Sequence, residues 1–262
     1  MANRFPLQVL NTMKLFTEGL LALLFATLLS GSALAATPTD TGTPSLRPYS
    51  AQYKTKAMGM SLSLTRKLKV SADGSYTLTN GGKMMVVSFH EVSVFTTRGT
   101  DIIPKSYVYE QTGLANRRRE VHFTPGSDTI RSLYKDQWYD LPYTEGTLDR
   151  MSQLEQLRLL LLSDSTPQED IAIRVADRKR VKDYQWRFVS EDTLETSLGS
   201  LKTSLKTLHF ERLHDDPDRK SDLWVAPDLD YLMVKTVHIE NGKPVEVILT
   251  SADIEGLGKP GK

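Results

Sequence analysis

LWVAPDLDYLMVKTVHIENGKPVEVILTSAD, Leu223–Asp253, is the stretch whose reading decides the fold class. Leu223-Trp224-Val225 is a short apolar run stopped by Pro227-Asp228, and Tyr231 to Ile239 is rich in β-branched and aromatic residues. Asn241-Gly242 supplies the positive φ that a two-residue hairpin needs, and Val245 to Leu249 returns beside the preceding run. Three strands joined by tight turns form an antiparallel meander, local in sequence and able to seed a larger sheet. The expectation is a mainly β protein: a curved antiparallel sheet or open barrel with one helix packed on its concave face.

The same alternation recurs outward from the meander. Tyr49-Ser50-Ala51-Gln52-Tyr53 opens a first strand, Met58-Gly59-Met60 marks a bend, and Leu62, Leu64, Leu68 and Val70 share one face. Arg66 interrupts that face and is expected at the strand's solvent end. Asp73-Gly74 closes a hairpin onto Tyr76–Thr79. Asn80-Gly81-Gly82-Lys83 lacks the spacing and following helix of a phosphate loop, and is expected to be a turn or bulge. Met84–Phe95 is apolar enough for one buried strand, and Pro125-Gly126 turns the chain from Arg117–Phe123 towards Thr129–Tyr134. Arg117-Arg118-Arg119 is expected on a solvated face or turn, since the chain's charges balance. Further strands follow around Ile171, Ile173 and Val175, then Tyr184, Trp186 and Phe188. In Leu201–Leu213 the apolar positions change face, which predicts a bulge or a strand covered on both sides. No period of 20–50 residues marks a solenoid or propeller.

Asp149–Leu162 stands apart. Leu154, Leu157 and Leu161 recur at helical spacing with Leu160 beside them, and Met151, Leu159 and Leu162 widen the apolar surface. Only Ser152, Gln153 and Gln156 leave a narrow polar strip. Asp149 or Ser152 can cap the helix, the latter in a capping box with Glu155. Arg158 lies among the leucines within reach of Glu155, so it is expected to pair or to extend outward. Such a helix needs cover on most sides, which the concave face of a sheet provides.

The chain has 262 residues, with 33 Lys+Arg against 32 Asp+Glu, and this balance gives no electrostatic reason to expect nucleic acid. Cysteine is absent, which removes disulfides, thiolate ligands and cysteine nucleophiles. Arg4 and Lys14 precede the apolar run Gly19–Leu29, Ser30-Gly31-Ser32 breaks it, and Ala33-Leu34-Ala35 is a small-x-small cleavage site. The expected organisation is a signal peptide over residues 1–35 and a Thr/Pro/Ser-rich flexible lead over 36–48. A single β-rich domain over 49–255 and a flexible tail over 256–262 follow. The expected location is the periplasm, with no permanent membrane anchor.

Candidate chemistry is sparse. His209, Glu211, His214, Asp215, Asp216 and Asp218 form the densest polar cluster, but their spacing matches no established metal-ligand pattern. Ser132 and Lys135 match S-x-x-K without the companion motifs of that chemistry. Neither catalytic residues nor a metal or cofactor is expected. Met58, Met60, Met84, Met85, Tyr184, Trp186, Trp224 and Met233 lie in or beside strand-like runs, where adaptable side chains suit a cavity for apolar ligands.

Several short motifs together carry a family likeness. They are Tyr49–Tyr53, Asp73-Gly74-Ser75-Tyr76, Ile103-Pro104 before Tyr107, Asp149-Arg150-Met151-Ser152 leading to Gln156-Leu157-Arg158, Leu198-Gly199, and Leu223–Asp228. With these the chain resembles the domain of unknown function 3108 family, exported β-rich bacterial proteins. It departs at Leu232-Met233-Val234, where the pattern has a proline after the leucine. The resemblance implies compartment and architecture and no settled activity. Curved sheets that hold helices are similar in shape to lipoprotein carriers, which shelter acyl chains. The expected function is therefore non-enzymatic binding of an apolar or amphipathic envelope ligand (a lipid or acyl chain) or of an envelope protein. Leu157, Leu161, Trp186, Trp224 and Met233 are the expected ligand-binding residues. The alternative is an envelope hydrolase or metal-dependent enzyme using His209–Asp218.

Overall fold

A computed structural model of the chain describes residues 44–57, 60–84, 86–113, 116–167, 170–240 and 242–257. The expected signal peptide, most of the lead and of the tail, and Met58, Gly59, Met85 and Asn241 lie outside the described residues. The elements, in order, are β1 (Tyr49–Ala57), β2 (Met60–Val70), β3 (Tyr76–Met84), β4 (Val87–Arg98), β5 (Asp101–Thr112), β6 (Arg117–Phe123), β7 (Thr129–Tyr134) and β8 (Gln137–Pro142). Helix α1 (Ser152–Ser163) follows. Then come β9 (Asp170–Asp177), β10 (Arg180–Leu198), β11 (Leu201–Arg212), β12 (Arg219–Ala226), β13 (Leu232–Glu240) and β14 (Lys243–Ile254).

All fourteen strands form one antiparallel sheet, in the order β8-β7-β6-β5-β4-β3-β2-β1-β14-β13-β12-β11-β10-β9. Its first half is a meander from β1 to β8 and its second a meander from β9 to β14. The two are joined where β1 pairs with β14, Tyr49 opposite Ile254. The sheet curls until its edges nearly meet. Leu148, just ahead of α1, makes a parallel bridge to Val175 of β9, with Leu148 N donating to Arg174 O at 2.8 Å and Ala176 N to Leu148 O at 2.8 Å. Ser132 Oγ of β7 donates to Arg178 O at 2.6 Å across the same seam. Near-closure satisfies edge groups that would otherwise invite pairing with other chains.

The turn chemistry works where it was expected. Gly74 and Gly126 adopt φ of +77° and +76° between β2 and β3 and between β6 and β7, a region that glycine enters without strain. The change of face in β11 is borne out: Leu205 and Thr207 are buried on one face and Leu208, Phe210 and Arg212 on the other, and its partner β10 slips register between Phe188 and Ser190. Three expectations are corrected. Asn80–Lys83 is the interior of β3, not a turn: a Cβ on Gly82 would lie 2.8 Å from Leu64 Cδ2 and 3.1 Å from Ser63 O, so its glycine serves close packing. Met84–Phe95 is divided between β3 and β4, with a turn inside the apolar run. Finally, Arg119 points inward, its guanidinium 5.2 Å from the Tyr109 ring centre and 5.6 Å from that of Tyr134.

Inside the curl sits α1, packed on the concave side. Leu157, Leu159 and Leu161 are buried among the inward residues of the sheet, including Leu68, Leu78, Ile102, Leu223 and Val234. The polar strip is covered as well: Gln156 stands in for a sheet partner, accepting from Ile102 N at 2.8 Å and donating to Thr100 O at 2.7 Å. Asp149 caps the N-terminus, its Oδ1 accepting from Met151 N at 2.8 Å and Ser152 N at 3.0 Å. Ser152 Oγ reciprocates by accepting from Asp149 N at 3.1 Å. The box is thus Asp149 with Ser152, and not Ser152 with Glu155. Ahead of β1, Leu46 is buried and Arg47 pairs with Asp230 at 3.5 Å.

Candidate functional site: a cleft beside the helix

Glu155 is free of capping duty because it is the hub of a buried charge network. Arg66 Nη2 donates to Glu155 Oε1 at 3.1 Å and Arg66 Nε to Tyr49 Oη at 2.9 Å, while Tyr49 Oη donates to Glu155 Oε1 at 2.7 Å. Arg158 Nη1 donates to Glu155 Oε2 at 3.2 Å and Arg158 Nε to Asp230 O at 2.7 Å. Asp230 is presented by the left-handed turn Asp230-Tyr231, with φ of 53° and 56°, which follows Pro227–Leu229. Arg66 is therefore no solvent-end residue: its side chain crosses the barrel interior to reach the helix. Burial pushes the Glu155 carboxyl up, but the Arg66 and Arg158 guanidiniums outweigh it and hold the carboxyl below the usual range. Burial and the nearby carboxylate raise Tyr49 well above the ordinary phenol value, against the pull of Arg66.

A cleft opens between α1 and the wall formed by β12 and β13. Leu154, Leu157, Leu223, Val225, Leu232 and Met233 make its apolar side, and Tyr49, Arg66, Glu155 and Arg158 its polar end. Its free volume is only about 10 Å³, room for about one water. Anything larger needs α1 to move.

A second polar layer lines the inner face toward the start of α1. Arg212 stacks on Tyr184, its Cζ 4.4 Å from the ring centre, and its Nη2 donates to His214 Nδ1 at 3.2 Å. Since a guanidinium only donates, His214 carries its proton on Nε2, which lies 2.9 Å from Ser221 Oγ. Ser221 Oγ in turn is 2.8 Å from His238 Nδ1. Burial, reinforced by Arg212, pushes His214 down to about 3 and His238 down to about 4. On the outer face a different group gathers. His209 stacks on Trp224 at 4.3 Å, its Nε2 is 3.0 Å from Asp222 Oδ1, and Trp224 Nε1 donates to Asp192 at 2.9 Å.

A family model described as "Protein of unknown function (DUF3108)" matches residues 49–249. The chain belongs to the DUF3108 family. The matched span begins at Tyr49 of the charge network and takes in every residue that lines the cleft. No curated protein matches the DUF3108 chain in sequence. Among solved structures it is similar to the beta-barrel-like protein of the domain of unknown function DUF1849 from Brucella abortus, with a TM-score of 0.53 and 11% identity. That likeness covers 80% of this chain and 98% of the other, and at such identity it speaks for the fold alone.

Of the expected ligand-binding residues of the DUF3108 chain, Leu157 and Met233 line the cleft. Leu161 is buried in the helix's apolar face, and Trp186 faces inward beside Arg212 without reaching the cleft. Trp224 is misplaced by the sequence reading: alternation with Leu223 and Val225 turns it to the outer face, where His209 and Asp192 hold it. The same alternation divides the His209–Asp218 cluster, since His209 points out while His214 joins the inner layer. Among the described residues, no group of three or more His, Cys, Asp and Glu is placed to hold a metal ion. Arg66 and Glu155 were missed as site residues. The available signal was Arg66 itself, a charge on an otherwise apolar strand face, with Arg158 as its counterpart on the helix.

Proposed function

We propose that this protein is exported to the periplasm and shelters the apolar chain of an amphipathic envelope ligand beside α1, without catalysing a reaction on it. The observation that carries the reading is the cleft, where an apolar wall of Leu157, Leu223, Val225 and Met233 ends at Arg66 and Arg158. That pattern matches a molecule with a chain and a polar head. A fourteen-stranded curl is wide enough to enclose a helix, and the volume α1 now fills is the volume a ligand would share with it. Export rests on the small-x-small site at Ala33 and Ala35. N-terminal sequencing of protein recovered from the periplasm should begin near Ala36, and an intact Met1 or Met13 contradicts it.

Binding is tested by titrating the processed chain with palmitate and other single-chain lipids. A ligand specific to the folded state raises Tm with concentration by mass action. Hydrogen exchange of residues 152–163 should change on binding, because the helix must shift to admit a chain. If a panel of acyl chains gives neither a Tm rise nor an exchange change, the reading fails and a docking role for a partner protein takes its place.

A further inference from the structure

The inner polar layer has an excess of positive charge that the proposed cleft does not use. Arg212 is only 2% exposed. Its Nη2 meets a neutral imidazole, and its Nε and Nη1 have no hydrogen-bond partner. Buried arginines ordinarily meet a carboxylate, because an ion taken out of water without a counter-charge costs several kcal/mol. Lys182 is on the neighbouring strand, on the same face as Tyr184 beneath Arg212, and its Nζ is likewise buried without a partner. The groups acting on Lys182 are Arg180 of its own strand, Arg212 of β11, and Arg178 in the turn from β9. Opposing them is Asp177, which already pairs with Arg178 at 3.5 Å. Arg150 and Arg219 add to the positive field at Arg212.

We propose that the inner face of β10 and β11 binds a phosphate group, free or as the head of a lipid, between Lys182 and Arg212. The unpartnered Nε and Nη1 of Arg212 are donors that phosphate oxygens accept, and Lys182 adds a point charge. Both cations feel the excess of charge around them: burial with Arg180 and Arg212 brings Lys182 down to about 7, and burial brings Arg212 down to about 10. A dianion would reverse both shifts. The site is distinct from the cleft, which draws on Arg66 and Arg158.

The test titrates the processed chain with inorganic phosphate, with sulfate, and with a single-chain glycerol phosphate lipid, following Tm and heat of binding. Sulfate keeps its charge across the range, so its pH dependence reports the protein. Its binding should be tighter at pH 6 than at pH 8.5, as Lys182 loses its proton between. His214 and His238 titrate below that window. Lys182→Met should weaken binding by about 10- to 100-fold and abolish the pH dependence. Arg212→Gln should weaken binding by a similar factor while leaving the pH dependence, which belongs to Lys182, in place. If that variant does not fold, Lys182, which is only partly buried, still decides the matter. Lys182-dependent binding of the inorganic ions supports a free-anion site, and Lys182-dependent binding of the lipid alone supports a headgroup site. No binding by any probe, or binding unchanged in Lys182→Met, overturns the proposal. Palmitate binding is indifferent to Lys182, so failure here is separable from failure of the cleft.

Discussion

Replacing Glu155 with glutamine tests whether α1 is clamped by charge. Glu155 is 2% exposed and lies between two guanidiniums that are 8% and 2% exposed. Removing its charge leaves Arg66 with Tyr49 Oη and Met151 O, and Arg158 with Asp230. Breaking one partner out of a buried pair costs about 3–5 kcal/mol, because the remaining charge stays desolvated. Arg66→Met alone should cost a similar amount, since Glu155 then keeps only Arg158 and Tyr49. The double variant is the decisive one. It removes both ends of the Arg66–Glu155 link while Arg158 retains Asp230, so its cost should fall short of the sum by about 1–3 kcal/mol. Urea unfolding followed by tryptophan emission and circular dichroism gives the free energies. Exchange of the α1 amides should rise in Glu155→Gln more than in the barrel strands. Additive free energies within about 0.5 kcal/mol would mean the two side chains do not interact as drawn.

Leu157→Ala, at the centre of the buried helix face, should lower stability by about 2–5 kcal/mol through lost burial and a residual cavity; an unchanged urea midpoint would mean the helix is not docked. His214 and His238 bear on acid stability. Both have folded values depressed below the ordinary imidazole value of about 6.5, so their contribution is present above that pH and is lost as pH falls toward about 4 and about 3. The His214→Gln/His238→Gln double variant should therefore lose less stability than the parent between pH 7 and pH 5; an identical loss refutes the buried neutral pair. Gly82→Val should destabilise β3, because its side chain would meet Leu64 and the Ser63 carbonyl, and Gly74→Ala should act through backbone strain alone since nothing surrounds its Cβ.

Alternation, turn residues and the leucine spacing of Asp149–Leu162 were enough to place the strands, most turns and one covered helix. These signals are local: a period of two or of three to four belongs to the chain itself, and Gly74 or Pro125-Gly126 dictates a turn whatever surrounds it. Strand periodicity also determined that Leu223 and Trp224 face opposite ways. It did not say which face was inside. That depends on how fourteen strands curl and where β1 meets β14 across nearly the whole length of the domain. The same long-range closure carries Arg66 of β2 to Glu155 of α1 and Asp230 to Arg158, pairings separated by 89 and 72 residues. A lone arginine on an apolar face looks like a strand end until its partner is brought to it. The inner layer of Lys182 and Arg212 is further still from local reading, since balanced composition hides it. Each cation was ordinary in its own strand, and only the register of β10 against β11, with Trp186 opposite Arg212, set them on one face near each other.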